Sequence, residues 1–222
     1  MPIDCISTAA ADKSMSSLKM LVAVSQRVDF YEDRGEVRDA LDQRLGCFLS
    51  DAGHIPVPVP NRLLIISSDG DLFTNRFREW LEQISPQALV LSGGNNLGEF
   101  PERDTTERLL LDYALRGQIP VLGICRGMQM LASWSGAKLK SVEGHVRARH
   151  KLQGEVNHEV NSYHEFSISN CPADFRVIAT SEDENIEGIR HNALPWEGWM
   201  WHPEREPTFC EPDISRLNNL FK

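Results

Sequence analysis

The sequence predicts an α/β fold: a mostly parallel sheet covered by helices on both faces, with extra short antiparallel strands in its later half. Three observations lead there. Short apolar runs alternate with segments of helical spacing, the pattern of parallel strands buried on both sides by crossover helices. One such run, Ile119 to Ile124, passes directly through Cys125 into a helical pattern carried by Met128, Met130, Leu131 and Trp134. A chain of 222 residues is also long enough to enclose one sizeable core.

Taken in order, Met20–Ser25 is a short apolar strand. Asp39–Ser50 has helical spacing, with Leu41, Leu45, Phe48 and Leu49 facing inward and Gly53 ending the helix. His54–Pro60 carries too many prolines for a central strand and reads as an extended edge segment. Phe73–Ile84 is an amphipathic helix, and Ala88–Leu91 is a buried strand ending at Gly93-Gly94. Thr105–Arg116 is a helix with Leu109, Leu110 and Ala114 inward, stopped by Gly117. After the Ile119–Ile124 strand and the Arg126–Ser135 helix come short pieces of antiparallel character: Lys138–Val142, Glu155–Asn161, Glu165–Ile168, Arg176–Thr180, Ile186–Arg190 and Gly198–Trp201. Asp213–Phe221 closes the chain as a helix. Residues 1–18 are small and polar and read as a disordered tail, or as sequence upstream of a start at Met15 or Met20. Residues 19–222 read as a single catalytic domain without internal repeats.

Charge and cysteine usage narrow the function. A net charge of −9 argues against a nucleic-acid surface, which needs clustered Lys and Arg. No apolar stretch approaches the roughly 18–20 residues that span a bilayer, so no membrane is expected. Five scattered cysteines give neither a disulfide framework nor a metal-ligand spacing, and no cofactor or metal is implied. The expected compartment is the reducing cytoplasm.

Gly123 and Gly127 flank Cys125 at i−2 and i+2, the sulfur counterpart of the nucleophile elbow. A reactive side chain on a sharp strand-to-helix turn needs small neighbours, and a helix N-terminus there favours thiolate over thiol. A lone buried cysteine is more often a small hydrophobe, so the elbow needs a base. His202 and Glu204 supply one: two residues apart at the end of a strand, they lean to one side, and Glu204 can orient the imidazole that takes the thiol proton. The backbone N–H of Arg126, next after the nucleophile, is placed to receive an oxyanion.

Together the Gly123–Gln129 and Trp201–Glu204 segments, with the earlier Ser92-Gly93-Gly94 turn, resemble the signatures of the class I glutamine amidotransferases and their γ-glutamyl hydrolase relatives. The resemblance runs from Leu21 onward and implies a flavodoxin-like sheet. It makes Cys125 the nucleophile, His202 the base and Glu204 its orienter, and gives Gly94 the second oxyanion donor. It assigns Gln129 to the glutamyl head group, together with the segment Tyr163, His164, Glu165 and Phe166, where the backbone after the histidine meets the substrate.

The leaving amine is the open part of this reading. Gly93–Gly98, Glu102-Arg103-Asp104, Gly144-His145-Val146, Val160–His164 and Trp201–Glu206 resemble hydrolases that act on a γ-glutamyl group carried by a nucleoside diphosphate. Arg27, at the carboxyl edge of the first strand, and the run Arg147, Arg149, His150 and Lys151 are candidate charges for a diphosphate. Hydrolases of γ-glutamyl-γ-aminobutyrate share the Asn-Ser-x-His segment and the elbow. A glutaminase subunit that serves a synthetase partner is a third reading; the absence of a fused acceptor domain favours the free-standing hydrolase. The expected partner is thus a small γ-glutamyl molecule, nucleotide-linked or free, with a synthetase subunit or a second copy as alternatives.

Overall fold

The computed structural model describes residues 19–63 and 72–222; the expected tail at 1–18 lies outside the described residues. In chain order, β1 (Leu21–Ser25) leads to a hairpin of β2 (Arg27–Tyr31) and β3 (Glu36–Ala40), then α1 (Gln43–Asp51), β4 (Ile55–Val59) and α2 (Leu72–Ile84). Next come β5 (Ala88–Leu91), α3 (Pro101–Gly117), β6 (Val121–Ile124) and α4 (Arg126–Trp134). The later part holds β7 (Leu139–Ser141), β8 (Val146–Lys151), β9 (Gln153–Gly154), β10 (Glu159–Tyr163) and β11 (Phe166–Ile168). It ends with β12 (Phe175–Thr180), β13 (Ile186–His191), β14 (Trp196–Trp199) and α5 (Glu211–Leu220).

The main sheet runs in the order β4-β1-β5-β6-β14-β13-β12-β9. Its first five strands are mutually parallel, and β13, β12 and β9 extend it antiparallel. Strand residues alternate between two cores. Val22, Val24, Val90 and Leu122 pack with Leu45 of α1 and Leu217 of α5. Ala23, Leu89 and Leu91 pack on the other face with Leu110 of α3 and Leu131 of α4. β1 is apolar up to its last residue, Ser25, and β5 and β6 are fully buried, as strands covered on both faces must be.

Several boundaries differ from those the sequence suggests, each for a local reason. The first helix begins at Gln43, because Asp42 caps it by accepting from the Arg44 N–H at 2.9 Å. Asp39 and Ala40 belong instead to β3, half of a largely exposed ribbon whose polar strands show little hydrophobic alternation. The helix expected at Thr105 starts at Pro101, a residue whose missing N–H suits a first turn. It ends on Gln118 in the left-handed region at φ 51°, one residue past Gly117. The basic run 146–151 is a strand, β8, paired with β10. The last strand is also not wholly antiparallel: β14 runs parallel to β6 and antiparallel only to β13. That pairing positions the site. β5, β6 and β14 lie side by side and end together, with Leu91 opposite Gly123 and Ile124 opposite Trp199.

Candidate active site

Each of those three strand ends delivers one part of a site: the Ser92–Asn95 turn after β5, Cys125 after β6, and His202 shortly after β14. Ligands of open α/β sheets gather at such carboxyl ends.

Cys125 sits at φ 51° and ψ −107°, a region strained for any residue with a Cβ. The strain is held in place by close packing around the elbow. A Cβ on Gly127 would lie 2.0 Å from the Leu91 carbonyl oxygen, and one on Gly123 would lie 2.6 Å from the Gly127 backbone. Both flanking glycines are therefore steric requirements of the turn. The Cys125 N–H is fixed on the Trp199 carbonyl at 2.7 Å, which ties the elbow to β14.

His202 is buried, and its Nδ1 lies 2.6 Å from Glu204 Oε1. The side chain of Asn161 clamps the histidine backbone from both sides: Oδ1 accepts from the His202 N–H at 3.0 Å, and Nδ2 donates to its carbonyl at 2.8 Å. Gly93 leaves room for the imidazole, since a Cβ there would stand 2.6 Å from His202 Cε1. Burial pushes the imidazole pKa down, but the charges of Cys125 and Glu204 and their hydrogen bonds outweigh it, and the group is raised to about 10. The thiol, imidazole and carboxylate thus form one connected chain.

The Ser92–Asn95 turn is organised from behind by Arg103, which is fully buried on α3. Its guanidinium donates to the carbonyls of Ser92 at 2.8 Å, Gly93 at 3.0 Å and Gly94, and to Glu107 at 3.1 Å. In a trans peptide the N–H points opposite to the preceding C=O. With the Gly93 carbonyl turned inward to Arg103, the Gly94 N–H is turned outward to the cavity that Gly94 lines with Cys125 and His202. Gly94 itself adopts φ 85°, where glycine alone is unstrained. The Arg126 side chain joins the buried network through Asp104 and Glu107, leaving its backbone N–H in the first turn of α4. Burial lowers both guanidinium groups, Arg103 to about 10 and Arg126 to about 9, so both remain cationic near neutrality.

Two adjoining cavities, each of about 240 Å³, share Gly94, His202 and Arg205. The one over Cys125 is also lined by Gln129, Tyr163, His164 and Glu165; the other is lined by Arg27 and Asp42. Gln129 donates to the Phe166 carbonyl at 2.8 Å, which links the elbow helix to the 163–166 segment. The His164 ring nitrogens are engaged elsewhere, one 3.1 Å from the Phe166 carbonyl and the other 3.2 Å from His145. Arg149 is occupied by Glu159 at 2.5 Å and Glu206 at 3.1 Å, and neither it nor Arg147 lines either cavity. Arg205, given no role of its own within the Trp201–Glu206 motif, lies 4.8 Å above the Tyr163 ring at the rim of both cavities. Asn161 and Arg103 were visible only as parts of motifs; nothing in their spacing announces a clamp on His202 or a support behind the turn.

A flavodoxin-like sheet with a cysteine elbow facing a His–Glu pair defines a thiol hydrolase or transferase of the amidotransferase type. The family model for "Glutamine amidotransferase class-I" matches residues 67–219, and the chain belongs to that family. Members of the family act as hydrolases of carbon–nitrogen bonds through a cysteine nucleophile. The chain is 32% identical over 126 residues to the γ-glutamyl-CDP-amidate hydrolase of Campylobacter jejuni, covering 54% of this chain and 63% of that protein, less than two thirds of its length. It is 35% identical over 134 residues to the glutamine-hydrolysing GMP synthase subunit of Methanothrix thermoacetophila, covering 56% and 70% of the two chains. Among solved structures, a putative GMP synthase subunit from Thermoplasma acidophilum superposes with a TM-score of 0.65 at 23% identity, over 91% of this chain and 92% of that one. That likeness concerns the fold.

Proposed function

We propose that the chain is a Cys–His–Glu hydrolase that cleaves a γ-glutamyl amide and releases glutamate, with γ-glutamyl-CDP-amidate as its substrate. The observation that carries the chemistry is the convergence of Cys125, the His202–Glu204 pair and the outward Gly94 N–H at three adjacent strand ends. His202, whose pKa of about 10 keeps it protonated near neutrality, holds the proton given up by Cys125 while sulfur adds to the γ-carbonyl carbon. The N–H groups of Arg126 and Gly94 receive the oxyanion, each worth roughly 2.7–4 kcal/mol of barrier. Collapse returns the proton from His202 to the departing nitrogen and leaves a thioester on Cys125. Water, deprotonated by His202, then hydrolyses the thioester to glutamate and free thiol. Gln129 and the 163–166 backbone hold the glutamyl head group beside the elbow.

Support for the nucleotide comes from the Campylobacter relative's name and from Arg27 and Arg205 at the cavity rim. A second reading, a glutaminase subunit docked on a synthetase, draws on the GMP synthase relatives and on the β2–β3 hairpin. That hairpin exposes Phe30, Tyr31 and Val37, and its first strand lines a shallow cavity beside Asn95. Glutamate release from glutamine, γ-glutamyl-γ-aminobutyrate and γ-glutamyl-CDP-amidate separates the readings. The expected result is preference for the nucleotide-linked amide; preference for glutamine would move the assignment to the synthetase-docked glutaminase.

A further inference from the structure

Behind the glutamyl-binding segment, three strand ends meet in a second polar cluster. His145 precedes β8, His164 lies between β10 and β11, and Glu187 is on β13. All three are buried. His145 Nδ1 and His164 Nε2 are 3.2 Å apart, and Glu187 Oε1 is 3.3 Å from each.

The outer nitrogens fix which atoms face inward. His145 Nε2 lies 2.9 Å from Asp183 Oδ2, and His164 Nδ1 lies 3.1 Å from the Phe166 carbonyl. Both these partners accept only, and the donor amide of Asn185 stands farther from His145 Nε2 at 3.4 Å, so in the neutral rings both outer nitrogens carry the proton. Nδ1 of His145 and Nε2 of His164 then present lone pairs to one another and to a carboxylate oxygen. Neither Glu187 oxygen has a hydrogen-bond partner of acceptable geometry. Three acceptors turned on one point repel each other unless a proton or a metal ion joins them, and contact with Glu187 raises the His145 pKa toward the protonated ring.

The spacing also fits a metal ion. A tetrahedral zinc ion with bonds of about 2.0–2.1 Å holds its ligands about 3.3–3.4 Å apart. The observed edges of 3.2, 3.3 and 3.3 Å come close to that triangle. Two imidazoles and a carboxylate are a donor set for a borderline first-row divalent ion, and ligating histidines commonly donate their other N–H to a carboxylate or a backbone carbonyl, as both do here. We propose that His145 Nδ1, His164 Nε2 and Glu187 Oε1 bind a divalent transition-metal ion, zinc foremost. Its effect would be to fasten the segment next to Glu165 and Phe166 onto β13. The sequence hides the site because its ligands stand 19 and 23 residues apart along the chain, at the ends of separate strands.

The full chain, stripped with chelator and titrated with Co(II), tests this. One equivalent should give the visible d–d absorption of a low-coordinate cobalt site, and Zn(II) should displace it. Glu187→Gln and His145→Asn should abolish the band. Because those side chains are buried, Asp183→Asn, at a half-exposed carboxylate, is the companion variant. It should keep a native circular dichroism spectrum and weaken Co(II) binding about 10–100-fold. A natively folded wild-type chain that binds no Co(II) or Zn(II), with nitrogen NMR showing an imidazolium at His145, would overturn the proposal in favour of a shared proton. A cobalt band that survives in both ligand variants would overturn it too.

Discussion

Cys125 is held where no ordinary L-residue rests comfortably, and the packing of Gly123 and Gly127 keeps it there. Cys125→Ala should abolish glutamate release while the circular dichroism spectrum stays native. Glu204→Gln keeps a hydrogen-bonding group beside His202 but removes the charge, so steady-state kinetics should show kcat falling by orders of magnitude with little change in KM. The raised pKa of His202 has a sign that can be checked. Its stabilising contribution is complete below the ordinary value of 6.5 and is lost as pH rises through about 10. Since Cys125 supplies part of the upward push, Cys125→Ala should lower the NMR titration midpoint of His202; an unchanged midpoint would mean that the thiol and imidazole do not interact. The glycines, the cysteine and the His-x-Glu spacing were legible in the sequence because each is a local requirement. Asn161 and Arg103 were not, because their partners lie 41 and 10 positions away along the chain and meet them only after folding.

At the scale of elements, β1, β5 and β6 were readable because burial on both faces favours continuous apolar residues. β14, Trp-Glu-Gly-Trp, lacks that run, and its parallel pairing was not legible; the helices were readable because one face of each is apolar. The β2–β3 hairpin and β8 escaped for the opposite reason: both are largely exposed, and polar side chains leave no period to read. α4 meets β5 at very short range at Gly127. Gly127→Ala would press a methyl onto the Leu91 carbonyl, and urea unfolding should show a loss of about 1–3 kcal/mol or more. Arg103→Met should be more damaging, about 3–5 kcal/mol, because it leaves Glu107 and Arg126 in a buried network that has lost a charge, and it frees the turn that carries Gly94.

The whole molecule is acidic, so any attraction for a diphosphate must be local. Arg27, itself paired with Asp29 at 2.6 Å, and Arg205 are the basic side chains at the rim of the cavity beside His202, and the basic run at 147–151 contributes less than its sequence suggests because neither Arg147 nor Arg149 lines either cavity. Neutralising Arg27 or Arg205 should raise KM for a nucleotide-linked substrate, about tenfold for each ~1.4 kcal/mol lost, with KM for a small γ-glutamyl amide nearly constant. Equal losses on both substrates would assign the two arginines a structural role. The central claim, covalent catalysis by Cys125 on a γ-glutamyl amide, is tested most directly by intact-protein mass spectrometry of enzyme quenched during turnover. The predicted result is a mass gain of one glutamyl group, mapped by proteolysis to Cys125 and absent from Cys125→Ala. Glutamate release by the wild-type chain with no such adduct, together with turnover by Cys125→Ala, would contradict it.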